Sequence, residues 1–249
     1  SHPELLDWLA VNFQGDMEWS MKKLIKKIVM SRSYRQSSTT SEEKTKKDPY
    51  NKFLSRGSRT RLPAETIRDQ ALAISGLLNK KQMGPSVMPY KPENIISFGG
   101  KFWFPSEGEE KYRRAVYTYW KRTHPYPSFV TFDSPSREVC TSRRIRTNTP
   151  LQSLVLLNDP VYIEAADAWA KRILKESGGD IKNGIEKNLR LVTAKVPEPE
   201  KIEVLHQLYL ESLAYYQEEG KELDDNAALA AMRMVSNAML NLDEFVTRR

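Results

Sequence analysis

The stretch TPLQSLVLLNDPVYIEAADAWAKRILKESGG, residues 149–179, decides the fold class. Thr149-Pro150 and Asp159-Pro160 each set a capping residue before a first-turn proline, whose missing N–H costs nothing where a helix leaves its first N–H groups unbonded. Leu151, Leu154, Val155, Leu156 and Leu157 follow the first pair. The spacing predicts a short helix there, apolar on most sides and buried between its neighbours, with Thr149 and Asp159 each accepting a first-turn N–H. Ile163, Ala166, Ala170 and Ile173 follow the second pair at helical intervals, and Gly178-Gly179 closes a helix over about Pro160 to Lys175.

Working outward, the same period recurs on both sides. Pro3 with Leu5, Leu6, Leu9 and Phe13 predicts a helix to about Asn12. Asp16 reads as the cap of a second, in which Leu24, Ile25, Ile28 and Val29 oppose Lys22, Lys23, Lys26 and Lys27. That lysine face reads as solvated rather than membrane-bound. Residues 37–47 hold no apolar side chain and read as a mobile loop. Pro63 opens a third helix, with Glu65 in its first turn and Ile67, Ala71, Ile74, Leu77 and Leu78 as its buried face to Asn79. Further helices start at Ile181 and Pro199, and Asp224-Asp225 reads as the cap of a last one through Leu229, Met232, Val235, Met239 and Leu240. About seven helices result, with no repeat of fixed period.

Between Lys80 and Ser136, nine prolines and Gly-containing turns, from Gly84-Pro85 to Pro135, forbid a long helix. Ala115 to Lys121 and Ser128 to Asp133 carry residues that suit extended chain, so a small strand pair is the most this region supports. The expected architecture is mainly α: one helical domain over 1–249, with 1–79 and 148–249 packed together and an irregular, aromatic and arginine-rich excursion over 80–147 laid across them.

Composition excludes several classes. With 39% apolar and 10% aromatic residues the chain is not disordered, and no run approaches the ~18 apolar residues of a membrane span. Cys140 is the single cysteine, which excludes an internal disulfide, a multi-thiolate zinc site and a C-x-x-C-H haem attachment. Three scattered histidines argue against a metal site, so no cofactor is expected in this chain. The start, Ser1-His2-Pro3, has neither an initiator Met nor a signal peptide, and reads as a piece of something longer.

Charge is concentrated in the middle. From Lys111 to Arg146, nine basic residues stand against Asp133 and Glu138, which equals the formal +7 of the whole chain. Residues 102–132 hold ten of the 24 aromatics. Arginine makes planar, bidentate contacts with sulfate, carboxylate or phosphate, and aromatic faces suit sugar rings. The candidate ligand-binding residues are therefore Arg113, Arg114, Tyr117, Tyr119, Trp120, Arg143, Arg144 and Arg146, facing an anionic glycan or a partner domain. The competing reading makes them packing staples whose guanidinium groups satisfy loop carbonyls. Nucleic acid ranks behind both, because the chain holds no RNP-like pattern, zinc finger or basic helix.

Catalytic candidates are few. Asp133 and Glu138 could act as a glycosidase-type carboxylate pair, against the reading of Asp133 as a turn residue. Cys140 beside Arg143 and Arg144 could be a nucleophile with His124 as its base, against a structural cysteine. The leading reading is a non-catalytic binding domain, and the alternative is an enzyme on acidic polysaccharide.

The blocks Ser1-His2-Pro3-Glu4-Leu5-Leu6-Asp7-Trp8, Tyr34-Arg35-Gln36-Ser37-Ser38, Arg113-Arg114-Ala115-Val116-Tyr117, Phe132-Asp133-Ser134-Pro135, Arg137-Glu138-Val139-Cys140, Arg146-Thr147-Asn148-Thr149-Pro150-Leu151-Gln152 and Leu156-Leu157-Asn158-Asp159-Pro160 occur in that order, and Leu240-Asn241-Leu242-Asp243-Glu244-Phe245 follows. Together they resemble a planctomycete-type domain of unknown function found near the C-terminus of large exported proteins, often behind a cytochrome-c-like domain. The resemblance implies an exported, periplasmic or envelope setting, and haem in a neighbouring cytochrome-like domain rather than here. It implies no catalytic residue.

Overall fold

The structure, a computed structural model, describes residues 2–91, 103–218 and 227–248. The chain forms two compact units, one running to Thr60 and taking in Arg248, the other spanning Arg61–Thr247. The architecture is mainly helical, with eleven α-helices and one two-stranded sheet among the described residues.

The first unit holds α1 (Pro3–Gln14), α2 (Met21–Val29) and α3 (Glu42–Lys47). Asp16 does not cap α2: the chain makes a run of tight turns first, and the Ser20 hydroxyl accepts from Lys23 N instead. Residues 37–47 are not loop throughout. Ser41 accepts from Lys44 N, Glu42 and Glu43 complement the positive end of the helix dipole and the lysines its negative end, so even this polar stretch closes a short helix. It adds nothing to a core, for α1, α2 and α3 bury no residue.

β1 (Thr60–Arg61) precedes the second unit's helices: α4 (Ala64–Ser75), α5 (Pro127–Thr131), α6 (Pro150–Asn158), α7 (Pro160–Ser177), α8 (Ile181–Thr193), α9 (Pro199–Glu218), α10 (Ala227–Leu240) and α11 (Asp243–Val246), after which β2 (Thr247–Arg248) pairs with β1. α7 is the central rod, packed against α4, α8 and α10, with α9 lying on α8 and α10. Its Trp169 is fully buried and donates from Nε1 to Asn188 Oδ1 at 2.8 Å, while Asn188 donates to Gly184 O. Gly184 allows this approach of α8 to α7, since a Cβ there would stand 2.9 Å from the Ser177 Cβ.

Among the described residues, Ala115 to Lys121 and Ser128 to Asp133 do not pair as strands, and Thr118 makes only an isolated parallel bridge with Val87. Ala115–Tyr117 is a 3-10 turn and Pro127 starts α5, which turns Phe129 into the core just before Phe132, so burial of both rings on one side overrides extended propensity. The carbonyls of this irregular segment are satisfied by arginine. Arg68 of α4, 1% exposed, donates to Arg113 O at 2.8 Å and Lys111 O at 2.7 Å.

α6 is not buried on most sides. It meets α5, α7 and α10 along one line, so Gln152 and Leu156 are buried while Leu151 and Leu154 are 63% and 52% exposed. Thr149 makes no cap bond either, whereas Asp159 accepts from Val161 N at 3.0 Å as its position predicts. The Asp224-Asp225 cap and Phe102 lie outside the described residues. Asp159→Ala should therefore cost about 1 kcal/mol in urea denaturation, and Thr149→Ala less than about 0.5 kcal/mol.

Candidate functional site

Asp133 sits at φ +60°, a left-handed conformation that aspartate tolerates better than most residues. From there its carboxylate accepts from Thr147 N at 2.7 Å and from the Thr147 hydroxyl at 2.9 Å. Gln152, 1% exposed on α6, donates to Thr131 O at 3.0 Å and to the Thr147 hydroxyl at 3.3 Å. This clasp closes the base of a loop over residues 134–146, of which 136–146 are all exposed. The loop carries Arg137, Arg143, Arg144 and Arg146 against the single acid Glu138.

One flank of the loop borders a groove of about 640 Å³ lined by Arg114, Trp120, Arg137 and Arg144 together with Glu65 and Asp69 of α4. Arg137 lies over the Trp120 ring, 4.9 Å from its centroid, and the indole N–H donates to Ser136 O. Arg144 makes a bidentate pair with Glu65 at 2.7 and 3.0 Å. Arg114 stands 3.5 Å from Asp69, whose other oxygen accepts from Ala115 N. Burial raises the Glu65 carboxyl pKa, but the Arg144 hydrogen bonds and charge outweigh it and hold the group below its usual value of 4.5. The pair therefore adds stability above that pH, lost as pH falls through the lower folded value.

The sequence candidates separate into four groups. Arg113 is not presented to a ligand: it is fully buried, donates to the Pro85, Met83 and Lys81 carbonyls and lies 3.8 Å over the Tyr117 ring, whose hydroxyl accepts from Met83 N. These two are staples of the excursion, for an arginine beside unbonded loop carbonyls is drawn inward. Arg114, Trp120 and Arg144 do meet in the groove, with two of the three cations there neutralised by Asp69 and Glu65. Arg143 and Arg146 stay on the loop, exposed and without an ion pair among the described residues. Tyr119 is exposed, with its ring beside that of Trp103, which stacks on Tyr126.

The catalytic candidates have other partners or stand in solvent. Both Asp133 oxygens serve the clasp, and Glu138 is exposed on the loop above it. Cys140 is exposed and shares no hydrogen bond with His124 among the described residues. Partial desolvation and the Lys121 and Lys91 charges hold His124 below its ordinary pKa. Among the described residues no three His, Cys, Asp or Glu side chains cluster as a metal site, and no helix is long and apolar enough to cross a membrane.

Sequence reasoning passed over Glu65 and Asp69 as groove residues and Gln152 as the clasp's buried member. Their partners lie 79, 46 and 21 residues away, and no local spacing signals such pairs.

A family model described as "PSD1: Protein of unknown function (DUF1553)" matches residues 1–209. The chain belongs to that family. The matched span takes in the clasp, the loop and the groove, and ends within α9. Neither a curated protein nor a solved structure matches the chain. Within this DUF1553 domain, Asp133→Ala should free Thr147 N and speed amide exchange over residues 134–148, at a stability cost of about 1–3 kcal/mol. Exchange in α7 should keep its order of magnitude.

Proposed function

We propose that the chain is a non-catalytic binding domain whose clasped loop, with Arg137 over the Trp120 ring and Arg143 and Arg146 exposed on the loop, contacts an anionic glycan. The observation that carries this reading is the loop's construction. Its base is fixed by Asp133, Thr147 and a buried Gln152, while the residues above contribute nothing to a core and expose their arginines. A segment held in place yet left in solvent suits display rather than packing.

Sulfate or carboxylate groups suit the free guanidinium forks, and the Trp120 edge of the groove suits a sugar face. The bidentate Arg144–Glu65 pair anchors the loop across the groove, so Arg144 acts here as a strut as much as a contact. The exported, envelope setting beside a haem-bearing neighbour, implied by the resemblance, is consistent with a module that meets an extracellular polysaccharide. Hydrolysis by Asp133 and Glu138 is disfavoured because the Asp133 carboxylate closes the clasp.

Dextran sulfate and unsulfated dextran test the reading in titrations with the whole chain. Only the sulfated polymer should bind, and its affinity should fall as salt rises. Arg143→Ala with Arg146→Ala should weaken it about tenfold, roughly 1.4 kcal/mol. Binding that ignores sulfation, or survives the double change unaltered, would overturn the proposal. Glu65 adds a pH signature: as pH falls below 4.5 through its depressed value, Arg144 is released, and dextran sulfate, which stays ionised, should bind more tightly.

A further inference from the structure

The first unit presents a different problem. It has no core: among its described residues the only apolar side chain buried is Met17. Leu6, Val11 and Trp19 are 67%, 70% and 64% exposed, and Met21 and Ile25 of α2 more than half. A segment of this size ordinarily needs substantial apolar burial or a staple. The single cysteine, at 140, supplies no disulfide, and no metal cluster is present among the described residues.

A second set of exposed apolar side chains, Leu5 and Trp8 of α1, Ile28 of α2, and Met30, Tyr34 and Leu54, lines an open groove of about 1000 Å³. Four cations line it, Lys27, Arg35, Arg56 and Arg248, and no acid does. Lys27 lies 4.4 Å over the Trp8 ring and Arg248 4.3 Å over the Tyr34 ring. Arg56 donates to the Asp48 and Pro49 carbonyls. Each cation is thus held at the groove or free beside it, and among the described residues none is paired with a carboxylate.

We infer that this groove is a docking site for a partner polypeptide that lays an apolar helix face into it and sets carboxylates against the four cations. Size argues for a polypeptide, because the groove stands at the top of the ~300–1000 Å³ range of small-ligand pockets, and Leu6 and Val11 of α1 with Met21 and Ile25 of α2 stay exposed outside it, where a protein contact of ordinary area can cover them. Charge argues for an acidic one, since like charges across the rim would be repelled and opposite charges fix register. The site is independent of the clasped loop, all of its lining residues belonging to the first unit.

The test uses the whole chain and two labelled amphipathic helical peptides of about 20 residues, identical in their leucine face and carrying either Glu or Lys on the other. Fluorescence anisotropy should show saturable binding of the Glu peptide, about tenfold tighter than the Lys peptide and weakened by salt. Arg35→Glu with Arg248→Glu should reverse the preference, while Lys187→Glu on α8 should leave it alone. In hydrogen exchange the Glu peptide should protect α1 and α2 and not α7, a readout that survives if a variant folds poorly. Equal binding of both peptides, an unreversed preference, or binding only to phosphatidylglycerol vesicles would overturn the inference.

Discussion

Two buried arginines hold the irregular segment of this molecule in place. An excursion without regular hydrogen bonding leaves carbonyls that must find donors or water, and here Arg68 and Arg113 supply them from inside. Arg68 reaches from α4 to Lys111 O and Arg113 O, and Arg113 reaches on to Pro85, Met83 and Lys81. The second arginine is thus both held and holding. Asp159 lies close enough to Arg68 for the two charges to favour each other, although burial still raises the Asp159 carboxyl pKa. Burial likewise raises the phenols of Tyr126 and Tyr162, which stay protonated at the centre of this packing.

That arrangement decides what remains for function. Arginines drawn inward cannot meet a ligand, so the basic character of the middle segment divides between staples, neutralised groove residues and the free cations of the clasped loop. Asp133 shows the same economy of roles. A carboxylate in a left-handed turn closes a loop by accepting both the N–H and the hydroxyl of Thr147, which leaves little for substrate chemistry.

The two units contrast in how they hide apolar surface. The second packs α4, α8 and α10 around α7 and buries Trp169 with its hydrogen bond satisfied. The first has amphipathic helices with no buried face. In α2 the lysines were legible from the sequence as a polar face, and so were the leucine and isoleucines opposite, but periodicity tells only that a face exists. It does not tell what covers it.

Helix positions were set by local signals and were legible for that reason: a proline at the start of α1, α6, α7 and α9, an Asp159 cap, a glycine in left-handed conformation after α7, although Gly76 ends α4 at Ser75 where the periodicity of Leu77 and Leu78 had carried the expected helix on to Asn79. Each acts over one or two turns of chain. Short helices such as α3 and α5 escaped that reading, because one cap or one proline suffices to close so few residues. The burial of Arg113, the pairing of Arg144 with Glu65, the clasp of Asp133 on Thr147 and the exposed side of α6 were decided by tertiary structure alone. Their partners lie from 14 to 79 residues apart, and an arginine's charge and length suit a carbonyl, a carboxylate or a ligand equally until the fold brings one of them within reach.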